Sequence, residues 1–499
     1  MICVWIRATA LVSMRAVSGD HAGQQPRSEE RRRMRGTGPA AFANILALVL
    51  LVGGARSSPA AELSFAPHVD ISIEPSDCMP GLDCPDAPWA LVTGDFNGDH
   101  KQDLATANNF SDDVAVLLGD GNGGLTLKGL FPTGGAPSEV SGPSDIAAGL
   151  VNSDDILDLV VTNEIANSVS VLIGNGDGTF QAAENYDTGG SPEAVALADL
   201  NDDDKLDIAT ADLFGDTIED AEDDSVSILF GNGDGTFMPR VKVTVPGGPA
   251  GIAAGNLDGA GLPDLAVSLS DRDQVVVLLN DGGTFSAQTP MDVGQVPLRL
   301  LVADLDEMST DDIAVVDEFD DSVSVLLGAG GGTFAPAQSY DVGGFPEAIA
   351  AGDVDGDHIV DLVTADSFGT IDFADGSASV LLGRGDGTFA AAQSFAVGTS
   401  PNGVGLADFD GNRSLDIATA NADSNDVSLL LNTGGGTPCV GDCDGNRKVE
   451  INELVTGVNI ALGSTSVDAC PSFDADDSGE VEINELVTAV DNALNGCGA

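Results

Sequence analysis

The chain has 499 residues, 80 of them Asp or Glu against 19 Lys or Arg, for a formal net charge of −61. Phosphate contacts need clustered cations, so this balance excludes a nucleic-acid binder. A hydrophobic content of 42% excludes a disordered acidic chain, and 63 glycines with 5% aromatics point to tight turns and small β-branched cores.

Eight of the arginines and three of the acids precede residue 62, so the acidity belongs to the chain beyond that point. Arg31, Arg32, Arg33 and Arg35 lead into an uncharged, mostly apolar stretch at residues 40–54, and Ser58-Pro59-Ala60-Ala61 has the small side chains of a cleavage site. That stretch is short of the roughly 20 residues that span a bilayer. Residues 34–61 therefore read as a secretory signal peptide with translation starting at Met34, and residues 1–33 as an extension with no targeting role. The expected product is secreted or held at the cell surface, with no membrane insertion of the mature chain. Without Cys3, six cysteines remain: Cys78, Cys84, Cys439, Cys443, Cys470 and Cys497. An even count in an exported chain favours disulfides, with Cys78 and Cys84 closing a small loop and three pairings open to the other four.

From residue 95 onward one phrase recurs: Asp95-Phe96-Asn97-Gly98-Asp99-His100-Lys101-Gln102-Asp103-Leu104, with acids at alternating positions and a last Asp before an aliphatic run. Its first positions fall at residues 95, 150, 199, 256, 304, 353 and 408, a mean spacing of about 52, in the range of solenoids and propellers. In each unit an alternating segment such as Ala194-Val195-Ala196-Leu197-Ala198 enters the acidic loop and Leu206-Asp207-Ile208-Ala209-Thr210 leaves it. Ser225-Val226-Ser227-Ile228-Leu229-Phe230 follows, and then the Gly-rich turn Gly231-Asn232-Gly233-Asp234-Gly235. Period-two alternation between such turns predicts four short strands per unit, hence one blade each and a seven-bladed β-propeller over residues 62–438.

The last unit lacks its fourth strand, because Pro438 and Cys439 stand where the other units continue. Residues 62–76 match the fourth-strand sequence of unit six and are expected to complete the seventh blade, which would remove an exposed edge.

The acidic loop offers side-chain oxygens at positions 1, 3, 5 and 9 and a carbonyl at position 7, a donor set for a hard divalent cation such as Ca²⁺. Without the ion, carboxylates about 4 Å apart repel by roughly 4 kcal/mol per pair at an effective dielectric near 20. Four loops are complete. They are Asp95, Asn97, Asp99 and Asp103; Asp199, Asn201, Asp203 and Asp207; Asp353, Asp355, Asp357 and Asp361; and Asp408, Asp410, Asn412 and Asp416. Units two, four and five are degraded, with Leu150 at position 1, Ala260 at position 5 and Met308 at position 5, and the sequence leaves their occupancy open.

These phrases, with Leu-Asp-Ile-Ala-Thr-Ala and Val-Ser-Val-Leu-Leu-Gly-Asn-Gly-Asp-Gly-Thr-Phe, resemble the FG-GAP or VCBS repeat family over residues 86–433. Similar repeats build the seven-bladed head of integrin α chains, whose Ca²⁺ loops lie on one face of the disc. The resemblance implies a secreted or surface propeller used in adhesion, recognition or scaffolding and does not identify a ligand; an extracellular protein or glycan is the expected partner.

Beyond residue 439, Asp442, Asp444, Asn446, Glu450 and Glu453 occupy the ligand positions of a twelve-residue EF-hand loop. A second set stands 32 residues later: Asp474, Asp476, Ser478, Glu482 and Glu485. Each loop leads into an amphipathic helix, the first carrying Ile451, Leu454, Val455 and Val458, the second Ile483, Leu486, Val487 and Val490. Two tandem loop-helix units resemble type I dockerin, which implies a small α-helical calcium-binding domain at residues 439–499 and a cohesin-like partner. A Ca²⁺-folded terminal cap without that partner carries about equal weight, since Ile451-Asn452 and Ile483-Asn484 replace the hydroxyl residues expected of cohesin binders.

No His-Glu-x-x-His or Gly-x-Ser-x-Gly phrase occurs, so zinc-protease and serine-hydrolase readings lack support. The expected function is a non-catalytic, calcium-binding recognition, adhesion or scaffold module, with a docked polysaccharide-degrading enzyme or carbohydrate-binding accessory as the alternative. Two lengthened connections, residues 214–224 and 368–377, lie between second and third strands and are candidate ligand loops.

Overall fold

The computed structural model describes residues 63–73, 87–134, 140–214, 224–308, 310–368 and 376–433, with parts of the segment 441–493. The signal and extension segments, Cys78, Cys84, Cys439, Cys497 and most of both lengthened connections lie outside the described residues.

Among the described residues seven antiparallel sheets of four or five strands follow one another along the chain, with a small two-stranded hairpin, Gly328–Gly330 with Thr333–Phe334, beside the fifth. Their first strands are Pro88–Gly94, Pro143–Gly149, Gly190–Ala198, Pro249–Gly255, Pro297–Ala303, Gly344–Gly352 and Pro401–Ala407. Each of these packs against the next, and Pro401–Ala407 packs against Pro88–Gly94, so the ring is closed with the first strands innermost. A proline stands at or near the start of every inner strand, followed by a register shift. Proline cannot donate to a ladder, and it is tolerated where the ladder is interrupted.

The second strands, such as Asp103–Asn108 and Asp207–Phe214, are buried through their first six residues. Covered on both faces by neighbouring blades, they use Ala and Thr between aliphatic residues so that adjacent sheets approach closely. The apolar core is correspondingly divided into seven clusters, one in each seam between consecutive blades. Phe180, Phe237 and Phe389 of the Gly-Thr-Phe turns are 8%, 6% and 3% exposed and belong to this core.

The seventh sheet takes its outer strand from the other end of the chain. Val69–Ser72 pairs antiparallel with Asp426–Leu430 in the register Val69↔Leu429 to Ser72↔Asp426. Ser428 Oγ donates to Asp70 Oδ1 at 2.8 Å, and the Phe65 ring meets Phe395 of blade six edge to face at 4.7 Å. Leu63 and Ile73 are buried on either side of this strand.

In the C-terminal segment, helix α1 (Ile451–Ala461) and a short 3₁₀ turn at Pro471–Phe473 surround a small core of Val449, Ile460, Cys470, Phe473, Val481 and Ala489. Cys443 is bonded to Cys470, one of the three pairings open to the sequence. Among the described residues no helix is long and apolar enough to cross a membrane.

Candidate metal centres

All seven acidic loops connect first to second strands, so the meander places them on one rim of the disc beside the hairpins between third and fourth strands. Position 9 is Asp in every unit, and its carboxylate is a latch. In Asp103 one oxygen accepts the Phe96 N–H at 2.9 Å and the other accepts the Gly119 N–H at 2.8 Å. The same pair of bonds recurs in Asp158, Asp207, Asp264, Asp312, Asp361 and Asp416, at 2.7–3.2 Å. These aspartates hold the acidic loop to the start of their own hairpin.

Position 1 shapes the loop. Asp95 accepts N–H bonds from Asn97, Gly98, Asp99 and His100 at 2.7–3.3 Å, and Asp408 accepts from Gly411, Asn412 and Arg413 at 2.8–3.0 Å. Wrapping the chain around this carboxylate drives positions 4 and 6 into left-handed backbone, as at Gly98 and His100 or Gly356 and His358. Asp and Asn tolerate that conformation, and glycine adopts it freely.

The donor set fits a hard divalent cation. Asp353, Asp355 and Asp361 each bring an oxygen within 4.8 Å of the others, as do Asp408, Asp410 and Asp416. Asp353 Oδ1 is buried and has no hydrogen-bond partner, a costly state for a carboxylate that a cation would relieve. Every donor is a carboxylate or amide oxygen, the chemistry that Ca²⁺ prefers over softer metals. Electrostatics agree. Burial pushes the position-9 carboxyls upward against their N–H bonds, with neighbouring loop carboxylates adding to the rise, to about 6 in Asp207, Asp312 and Asp416 and about 7 in Asp361. Asp103, Asp158 and Asp264 are raised for the same reasons.

The three loops that look degraded are not alike. Asp304, Asp306 and Asp312 of unit five converge within 4.8 Å, so this unit keeps a carboxylate cluster despite Met308, which is 59% exposed. The retained acids at positions 1, 3 and 9 were the signal for it. Unit four keeps the loop shape, with Asn256 Oδ1 accepting the Gly259 N–H at 3.0 Å and left-handed backbone at Gly259 and Gly261. Unit two loses it: with Leu150 at position 1, Ser153 and Asp155 stay out of the left-handed region. Position 1 therefore matters more to the loop than position 5.

Each loop is also stitched to the next blade. The position-2 carbonyls of Phe96, Val151, Leu305 and Phe409 accept N–H bonds from Gly178, Gly235, Gly387 and Gly123 at 3.0–3.1 Å. Leu200 O and Val354 O accept instead from the side-chain amides of Asn280 and Asn432, at 2.9 and 2.8 Å, and in unit four Asp258 O accepts from Gly331 N at 2.9 Å. All seven seams carry one such bond.

On the axis, a cavity of about 200 Å³ is lined by the inner strands. Arg299 crosses it from blade five, donating to Ser144 O at 2.8 Å, Ala250 O at 3.2 Å and Glu193 O, with its guanidinium 4.0 Å from the Asp145 carboxylate. Burial raises the Asp145 carboxyl, opposed by Arg299 and the Val195 N–H. One arginine thus ties blades two to five at the centre, a role with no sequence signature.

Of the C-terminal loop residues, Glu453 is described: it is 4% exposed and accepts the Cys443 N–H at 2.7 Å. Asp442, Asp444, Asn446, Glu450, Asp474, Asp476, Ser478, Glu482 and Glu485 lie outside the described residues.

Comparison with known proteins agrees with this architecture. The FG-GAP repeat profile matches residues 87–126, and the FG-GAP-like repeat profile matches residues 151–210. The chain therefore carries FG-GAP repeats on a seven-bladed β-propeller. No curated protein sequence matches it. Among solved structures, a streptogramin B lyase is 15% identical, covering 73% of this chain and 98% of its own, with a TM-score of 0.48. Virginiamycin B lyase from Staphylococcus aureus is 11% identical over 74% and 99%, with a TM-score of 0.49. BBS1N, solved in complex with ARL6DN, is 14% identical over 74% and 99%, with a TM-score of 0.46.

Proposed function

We propose that this protein is an exported recognition or scaffold module whose propeller is stiffened by Ca²⁺ in its rim loops. The observation that carries this reading is the stitch between each loop and the next blade, since an ion that fixes a loop also fixes the carbonyl on which a seam bond depends. The ligands are Asp95, Asn97, Asp99 and Asp103, with the corresponding residues of units three, six and seven, and Asp304, Asp306 and Asp312 of unit five. Calorimetry tests it. Stripping with EDTA should lower Tm and Ca²⁺ should restore it, with about 2.7 kcal/mol per independent site at 100 times Kd. An unchanged Tm would overturn the proposal.

The C-terminal segment is proposed as a calcium-dependent assembly module. Val455 and Val458 on helix α1 are 54% and 45% exposed, and Val487 and Val490, 32 residues further on, are 63% and 45% exposed. Paired apolar side chains left in solvent at the same register of a two-fold repeat suit a helix-binding partner better than a closed cap. A pull-down with cohesin domains, with and without Ca²⁺, is the test; no calcium-dependent capture would leave only the cap.

A further inference from the structure

The rim opposite the ion loops carries exposed phenylalanines where blades five and six meet. Phe319 lies between the second and third strands of blade five, Phe345 at the entry to the inner strand of blade six, and Phe368 at the end of its second strand. They are 49%, 38% and 36% exposed, and Phe345 touches both others edge to face, at ring distances of 5.8 and 5.4 Å. We propose that this cluster docks a cationic polypeptide segment that presents apolar side chains. This rests on the recognition reading above and gives the partner its chemistry.

Phe345 is the residue that a purely structural role does not explain. Its φ is 55°, in the left-handed region, with its N–H held by Asp321 Oδ1 at 3.0 Å. The corresponding entry residues of the other blades are Ala87, Gly142, Ser191, Gly248, Val296 and Ser400, all left-handed and none aromatic. A bulky residue there strains the backbone where glycine would not, and the ring so placed is left in solvent rather than added to the core.

Charge selects the occupant. Glu318, Asp320 and Asp321 share the loop that carries Phe319, Asp321 Oδ1 holds the Phe345 N–H at 3.0 Å, and Asp341 and Glu347 lie within four residues of Phe345 in the chain. Within residues 297–396 the only Lys or Arg side chains are Arg299, which is committed to the axial carbonyls, and Arg384, which sits in a hairpin of the ion rim. Aromatic rings bordered by carboxylates attract Lys and Arg through both cation–π and Coulomb terms, and clustered aromatics are common interface anchors. A second copy at −61 would be repelled.

The test uses the full chain in Ca²⁺ buffer with a fluorescent amphipathic peptide of Leu and Lys, its Leu/Glu counterpart and neutral oligosaccharides as probes. The Lys peptide should bind with an affinity that falls as salt rises. Phe345→Gly should weaken it about tenfold with Tm unchanged or raised, and Phe319→Ser with Phe368→Ser should abolish it. Equal binding of the Glu peptide, oligosaccharide binding lost in the same variants, or full Lys-peptide binding by Phe345→Gly would each overturn the proposal. A Tm that falls in Phe345→Gly would also overturn it, by showing the ring to be a folding element. A partner captured by the chain but indifferent to these substitutions would remove this surface and leave the recognition reading intact.

Discussion

The two rims of the propeller are built from the same repeats under different rules. On the rim of the acidic loops all seven units keep the position-9 latch and the stitch to the next blade, down to near-constant distances. On the opposite rim the residue two places past the end of the second strand's core is Phe110, Ile165, Phe214, Phe319 and Phe368 in five units, but Asp271 and Asp423 in the others. Uniformity on one rim reflects a packing demand that every seam repeats. Divergence on the other marks where a unit is free to carry something the fold does not need.

The closing strand bears on the comparison most heavily, because it shuts both rims at once. Deleting residues 63–73 exposes the edge of Asp426–Leu430 and removes two buried aliphatic side chains, worth about 4 kcal/mol together. A thermal melt should show a drop of many degrees; an unchanged Tm would mean that the ring closes without it.

Next in size is the latch. Asp416→Ala leaves the N–H groups of Phe409 and Asn432 without their partner, at a cost of about 2–4 kcal/mol. Asp158→Ala in unit two breaks the same two bonds in a loop that lacks its position-1 ligand. Denaturant titrations should find equal losses in EDTA and a larger loss for Asp416→Ala in Ca²⁺. Equal losses in both buffers would remove the distinction between the two loops.

A smaller effect concerns carboxylates between the rims. Asp366, fully buried, accepts from Thr364, Ser377 and Ser379, and burial pushes its pKa up to about 6 against those bonds, as in Asp212 and Asp317. The folded chain then holds a proton that the unfolded chain has lost between about pH 4 and 6, so stability falls as pH rises through that window and is level above it. Asp366→Asn should flatten this slope by at most about 3 kcal/mol in chevron or equilibrium denaturation across that range. An undiminished slope would show that Asp366 does not carry it. Asn108, Asn163 and Asn421 already occupy the corresponding site in units one, two and seven.

Much of this was legible in the sequence, because its causes are local. Alternation and Gly-rich turns announce the strands, and the spacing of aspartates announces the rim loops. The truncated seventh unit, with a fourth-strand phrase near residue 65, pointed to the closing pair that Val69–Ser72 makes. What escaped depends on contacts between distant segments. Counting ligand positions equally grouped units two, four and five, whereas the backbone shows position 1 to be the organiser. Arg299 reads as an ordinary strand residue until the ring closes around it. The strain at Phe345 depends on Asp321, 24 residues earlier.

The most direct measurement of the central claim is native-state hydrogen exchange of the seam amides with and without Ca²⁺. Exchange at Gly178, Gly387 and Gly123, which bond to loops of units one, five and seven, should slow when Ca²⁺ is added. Gly235, bonded to the loop of unit two, should change least. No slowing at the first three, or the same slowing at all four, would contradict the coupling of rim ions to blade seams.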